Sequence, residues 1–217
     1  EIGRSIPRLE STAKVNGTVE YIHNLRLPGM LHGRIHRSTV PHGRIVRIDT
    51  AAALEVEGVH AVITAEDVLK LVPHPYYGPA FHDQPILALV KVRHVGEPVA
   101  IALADDPHAA EQAADLIAVE YEPLEAVFDE VAAARPGAPV IHDVLKPAGT
   151  FTDLKHLAGR SGTNVALDTH VRRGDVEQAF ASADHVFEHT FRTGKVMHAT
   201  FEPMVSLAEP QGPSGLT

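Results

Sequence analysis

The sequence predicts an α/β (α+β) fold, one complete unit followed by the start of a second. Three observations carry this reading. Short apolar or alternating runs are separated by helices with recognisable start signals. The composition, 44% hydrophobic and 22% charged over 217 residues, is that of a globular chain with enough length to bury a sizeable core. The run Arg135-Pro136-Gly137-Ala138-Pro139 marks a break between two regions.

The first thirty residues are mixed and punctuated by Pro7, Gly17 and Pro28. Leu31 to Ser38 predicts a strand, with Leu31, Gly33 and Ile35 on one face and His32, Arg34 and His36 on the other. Pro41-His42-Gly43 predicts a turn, and Arg44 to Ile48 a second strand. Thr50 heads a short helix over Ala51 to Val56, ended by Gly58. Val59 to Ile63 is a short apolar strand. Thr64 and Asp67 then form a capping box for a helix to Leu71.

Residues 73–85, rich in proline and aromatic side chains, predict a long loop. Ile86 to Val92 and Val99 to Leu103 predict strands around the turn His94-Val95-Gly96-Glu97-Pro98. The clearest helix follows. Asp106 is its N-cap and Pro107 sits at its first position, where a missing N–H costs nothing. Ala110, Ala113, Ala114 and Ile117, joined by Leu116, make its buried stripe, and Ala118 to Tyr121 is the next strand.

This first unit is expected over residues 10–131. A polar connecting arm is expected over 132–163, and an incomplete second unit over 164–217. The second unit holds a strand near Val165 to Val171 and a helix from Asp175 to Ala183. Strands at Asp184 to Arg192 and Phe201 to Glu209 complete it. These are too few elements to close a core unaided.

Composition excludes several function classes. Net charge is −9, which argues against a nucleic-acid partner and against an anionic membrane surface. No apolar run approaches the ~18 residues of a membrane-spanning helix. Zero Cys excludes disulfides, thiolate metal sites, a Cys nucleophile and Cys-ligated iron–sulfur clusters within this chain. Zero Trp and 5% aromatic residues argue against a stacking platform for single strands. No charged-then-apolar leader opens the chain, whose first residue is Glu1 rather than Met. The expected location is the cytoplasm, or the periplasm if a partner carries an export signal.

Fifteen histidines make metal binding the first chemistry to weigh. His32 and His36 lie four apart, but on a strand that spacing spans ~13 Å and cannot share an ion. His74, His82 and Asp83 share one loop and can converge, yet surface and loop histidines explain the count better, and no metal site is expected. No phosphate-loop or dinucleotide fingerprint occurs; Gly159-Arg160-Ser161-Gly162 lacks the helix that would follow. No nucleophile elbow occurs. Glu97, between Gly96 and Pro98, is read as a turn carboxylate that accepts backbone N–H bonds rather than as a ligand contact. No residue set amounts to a catalytic constellation.

Seven segments in order nevertheless resemble one family. They are Lys14-Val15-Asn16-Gly17 with Tyr21; Arg37-Ser38 with Pro41-His42-Gly43-Arg44-Ile45; and the run from Gly58 to Val68 (GVHAVITAEDV). Then come His94-Val95-Gly96-Glu97-Pro98-Val99-Ala100; Val119 to Leu124 (VEYEPL); Gly174 to Asp184 (GDVEQAFASAD); and His198 with Glu202-Pro203. This set resembles the N-terminal part of the molybdenum-cofactor-binding subunit of the xanthine dehydrogenase and aldehyde oxidase family. One departure is that Ile22-His23-Asn24 lacks the aspartate that often follows the family's tyrosine.

The resemblance implies an a/b hammerhead domain over 10–131, then the beginning of a molybdopterin-binding domain. It implies hydroxylation of an aldehyde or N-heterocycle with water as oxygen source. Molybdenum on a pterin would take two electrons and pass them to [2Fe–2S] clusters and FAD on partner domains or subunits. The family's principal cofactor and catalytic motifs come after a segment like Phe201 to Glu209. No catalytic residue is therefore assigned, cofactor-binding residues stay unassigned, and the chain alone is expected to be inactive. Because the hammerhead helps shape the access route, Tyr76, Tyr77, Phe81 and His82 are candidates to line a path for a small-molecule substrate; an ordered surface loop explains them better. The alternative is a hammerhead kept as a non-catalytic scaffold or assembly subunit. An independent hydrolase or metal enzyme has only the histidine count behind it.

Overall fold

The computed structural model describes residues 2–78, 81–143, 160, 162–168 and 170–210. Two units are distinguished, Leu31–Val176 and a second made of Glu1–Met30 with Glu177–Thr217.

In the first unit the alternating runs become β1 (His32–Arg37), β2 (Gly43–Asp49), β3 (Val59–Ile63), β7 (Pro98–Ala104) and β8 (Ala118–Pro123). Three two-residue strands join them: β4 (Tyr76–Tyr77), β5 (Gln84–Pro85) and β6 (Lys91–Val92). The sheet orders are β1-β7-β3, β6-β2-β8 and β4-β5. Every pairing is antiparallel, so the α+β description applies.

β7 is the axis. Ile101 lies opposite Ile35 of β1 on one side and opposite Ile63 of β3 on the other. One face of β7 is fully covered and the other partly. Ala100, Ala102 and Ala104 pack under α4 (Pro107–Leu116), against Ala109, Ala110, Ala113, Ala114 and Ile117. Val99 turns the other way, onto Ala88 and Val92. Alanine on both partners lets the helix axis approach the sheet closely. The predicted stripe of α4 holds except at Leu116, the last residue of the helix, which is exposed, and Ala109 joins the buried face.

Predicted caps are present. The Asp106 carboxylate accepts the N–H groups of His108 (2.8 Å) and Ala109 (3.1 Å). At α3 (Ala65–Leu71) the Asp67 carboxylate accepts both the N–H and the hydroxyl of Thr64. Helix α2 (Ala51–Leu54) is shorter than expected. Its Thr50 side chain makes no capping bond; Asp49 takes the Ala51 N–H instead.

The segment Ile86 to Val92 is not the predicted strand. Only β6 at its end pairs, and it pairs with β2 rather than with β7. Leu87 and Ala88 are fully buried because the chain here threads between the two larger sheets. Single bonds tie it to each: Ala88 N–H to Pro98 O, and Ile45 N–H to Val90 O. An apolar run can be buried on two sides without joining a ladder.

Between β6 and β7 the turn folds over a buried ion pair. Gly96, at φ 90°, permits the reversal. The Glu97 carboxylate, 5% exposed, accepts the Arg93 N–H and one guanidinium N–H at 3.1 Å. Ser38 anchors the turn from β1, exchanging backbone bonds with Gly96 and Glu97. The expected role of Glu97 as a turn carboxylate is what the structure shows.

Beyond β8 the structure adds α5 (Glu130–Ala133), which lacks an obvious sequence signal apart from Asp129, whose carboxylate accepts the Ala132 N–H. Asn164 folds back on this region. Its amide donates to Ala133 O and Pro139 O, and its carbonyl accepts from Ile141 N–H at 2.9 Å.

In the second unit α1 (Ser11–Asn16) ends at Gly17 in the left-handed conformation. Helix α6 (Val176–Ala181), all but its first residue in this unit, lies inside the predicted 175–183 helix. The strands predicted at 184–192 and 201–209, like that at 165–171 in the first unit, enter no ladder among the described residues. Alternation assigns sides, but a strand needs a neighbour to accept its backbone bonds. Phe187, Phe191, Phe201, Met197 and Met204 are correspondingly exposed.

Three outcomes follow from this packing. Leu87→Ala removes a fully buried side chain between the sheets and should cost about 3 kcal/mol in denaturant unfolding. Glu97→Ala strands the Arg93 guanidinium and should cost ~3–5 kcal/mol, while an Arg93→Met/Glu97→Met double variant should cost clearly less than the two single changes together. Asp106 has its carboxyl held below the usual range, first by the Ala109 N–H and then by the His108 N–H. Its stabilisation is present above the ordinary aspartate pKa and fades as pH falls through the lowered value. Thermal midpoints of Asp106→Ala should lie a few degrees below those of the parent at neutral pH, and the gap should close in acid.

Candidate functional site

Between β4 and the turn after β6, the first unit opens a cleft of about 510 Å³ lined by His74, Tyr76, His82, Asp83, Arg93, His142 and Asp143. Two short strands make it. The β4-β5 pair turns the predicted 73–85 loop into a small hairpin and sets Tyr76 opposite Pro85. Gly78 sits at φ 141°, and a Cβ there would run into the Phe81 carbonyl. The expected convergence of His74, His82 and Asp83 is therefore realised, although among the described residues no group of three or more His, Asp or Glu has the spacing to hold a metal ion.

The far wall comes from residues 139–143. Lys91, nearly buried, reaches across with its ammonium 3.3 Å from the Asp143 carboxylate. His142 is half-buried, and its imidazole is held below the ordinary histidine range, first by burial and then by the Arg93 charge. Asp83 and Glu97 work in the opposite direction and offset part of this. The cleft thus presents three imidazoles, a phenol, two carboxylates and a guanidinium edge to one small volume. Such a set can hydrogen-bond a polar small molecule from several directions.

Three histidines elsewhere in this unit are engaged. His36 Nδ1–H donates to Ala114 O at 2.9 Å and His42 Nδ1–H to Glu125 O at 2.7 Å. His60 meets Asp105 at 2.7 Å. His74, His82 and His142 have no side-chain hydrogen bond or ion pair among the described residues, which sets them apart from these three.

Of the four candidate path residues, Tyr76 and His82 line the cleft. Tyr77 lines a neighbouring hollow of about 730 Å³, which shares Asp83, Arg93 and His142 with the first. Phe81 is 8% exposed and lines neither; it packs inward. Sequence reasoning missed Arg93, His142 and Asp143. The only local signal was the pair Val140-Ile141 ahead of His142, apolar residues inside a segment that otherwise reads as a linker. In the glycine-containing run 159–162, Gly159 and Ser161 lie outside the described residues, and Arg160 pairs with Asp168.

Comparison with known proteins agrees with this architecture. The family described as "Aldehyde oxidase and xanthine dehydrogenase, a/b hammerhead domain" matches residues 16–125. "Molybdopterin cofactor-binding domain" matches residues 158–217. A probable xanthine dehydrogenase subunit from Bacillus subtilis is 34% identical over 97% of this chain and 25% of its own length. The nicotinate dehydrogenase large molybdopterin subunit of Eubacterium barkeri is 32% identical over 93% of this chain and 43% of its own. Among solved structures, quinoline 2-oxidoreductase from Pseudomonas putida 86 matches with TM-score 0.59 and 39% identity, over 67% of this chain and 19% of that one. The chain thus spans a quarter to under half of the length of these curated relatives. With more than half of its residues matched by the hammerhead description, and in the order the seven sequence segments suggest, the chain belongs to the aldehyde oxidase and xanthine dehydrogenase family.

Proposed function

We propose that this chain is a component of a molybdenum hydroxylase that oxidises an aldehyde or N-heterocycle with water as oxygen source. The observation that carries the reading is the succession of two family matches on one chain, hammerhead then molybdopterin-binding. Residues 10–131 would serve as the hammerhead, 132–163 as the connecting arm and 164–217 as the beginning of the cofactor-binding domain. The functions for which the relatives are named, among them xanthine, nicotinate and carbon monoxide dehydrogenation, support the reaction class and leave the substrate open.

The described residues do not by themselves fit a pterin cofactor. From 162 to 210 nearly every described residue is exposed, and none contributes an unpaired buried polar atom. No chemical step is derived through the group, and no residue of this chain is given a catalytic role. In the complete enzyme the molybdenum–pterin would supply two-electron oxidation. The electrons would leave through [2Fe–2S] clusters and FAD on partner domains or subunits. The chain's own contribution would be the access side, with Tyr76, Tyr77 and His82 along a substrate path.

No helix among the described residues is long and apolar enough to cross a membrane. We place the working complex in the cytoplasm, without a nucleic-acid or membrane partner.

Elemental mass spectrometry on the size-exclusion peak containing this polypeptide, purified from its native source, tests the reading. About one molybdenum per chain is expected, in a peak much heavier than 23.4 kDa. A molybdenum-free peak near 23.4 kDa would overturn it in favour of the scaffold alternative.

A further inference from the structure

His142 belongs to both hollows, as do Asp83 and Arg93. It therefore stands in the partition between them, on a segment held by few and separable contacts. Ile141 N–H donates to Asn164 Oδ1 at 2.9 Å, and Asn164 Nδ2 donates to Pro139 O at 2.8 Å. Lys91 reaches Val140 O at 3.5 Å and the Asp143 carboxylate at 3.3 Å. No strand ladder secures residues 139–143. We propose that these residues form a strap that is released when His142 takes up a proton, joining the two hollows into one wider opening.

The charges around the imidazole decide the direction. Arg93 and Lys91 face it and oppose a third positive charge. Asp83 and Glu97 favour one, but Glu97 is already engaged by the Arg93 N–H and guanidinium. Tyr76 lines the same cleft. His74 and His82 face His142 from the opposite wall. Asp143 travels with the strap and is drawn to Lys91, which is the main contact resisting release.

Burial leads the shift, and the Arg93 charge adds to it; both act only while the strap is closed. The closed state therefore holds His142 neutral, and the open state returns it to water and an ordinary value near ~6.5. Closure is fully favoured above that value and weakens as pH falls below it, because only the open state readily binds the proton. The inference concerns this chain's own residues and stands whether or not a cofactor is loaded.

Amide exchange in the full chain reads the strap directly through Ile141. Its protection factor should fall, by at most about tenfold, between about pH 7.5 and about pH 5.5, after correction for intrinsic exchange, while Ala100 and Ala102 in β7 keep theirs. In His142→Gln the fall should vanish. A pH-independent Ile141 amide, or a fall that survives His142→Gln, would overturn the proposal. A proton NMR titration of His142 in the unmodified chain gives a reading that needs no variant. A midpoint below the ordinary histidine range supports the strap, and one at or above it sinks the idea.

Discussion

Strand β7 gives little of itself to water. Its alanines lie against the alanines of α4, and Val99 and Ile101 lie against residues carried by the segment that threads between the sheets. β1 and β3 bond its two edges. Everything else in the first unit is placed by what β7 requires. The helix must be small-faced, the capping aspartate must start it on time, and the chain entering β7 must turn sharply at Gly96. With the alanine face fully buried and both edges bonded, no room is left for a larger side chain at Ala100, Ala102 or Ala104, since close-packed interiors register even a methylene.

The turn into β7 is where polarity enters this interior. Glu97 and Arg93 are removed from water together, and the carboxylate also satisfies a backbone N–H that the reversal would otherwise leave open. A buried pair of this kind is weak evidence for net stability, because desolvation consumes much of the attraction. Its value here is positional. It fixes the end of β6, the start of β7 and the Arg93 side chain that borders both hollows.

That placement gives the cleft its character. Most of its polar side chains come from a hairpin loop and from a strap far along the chain, while the rigid sheets supply only the floor. Chemistry carried on loops over a scaffold is the common arrangement in binding sites. The second unit is the opposite case. Phe187, Phe191, Met197, Phe201 and Met204 are exposed and enter no ladder among the described residues. Apolar surface of this extent is what a larger cofactor-binding domain would cover, which fits the proposed role of residues 164–217.

Local rules were already written in the order of the residues. Asp106-Pro107 and Thr64-Ala65-Glu66-Asp67 start helices because the capping bonds lie within three residues. The Ala stripe of α4 and the apolar run of β7 were legible for the same reason, as was the turn role of Glu97, whose partners lie four residues or fewer away. The seven ordered segments carried the family. Which runs pair was settled by the folded chain. Ile86 to Val92 and Val99 to Leu103 looked like one hairpin and belong to different layers, since apolarity records burial and not the neighbour that provides it. The cleft was half legible. His74, His82 and Asp83 share a loop, so their meeting could be anticipated. Arg93, His142 and Asp143 join them through contacts such as Lys91 with Asp143 and Ile141 with Asn164, which span 52 and 23 residues. No local pattern encodes such a contact, because its energy exists only once the chain between has folded.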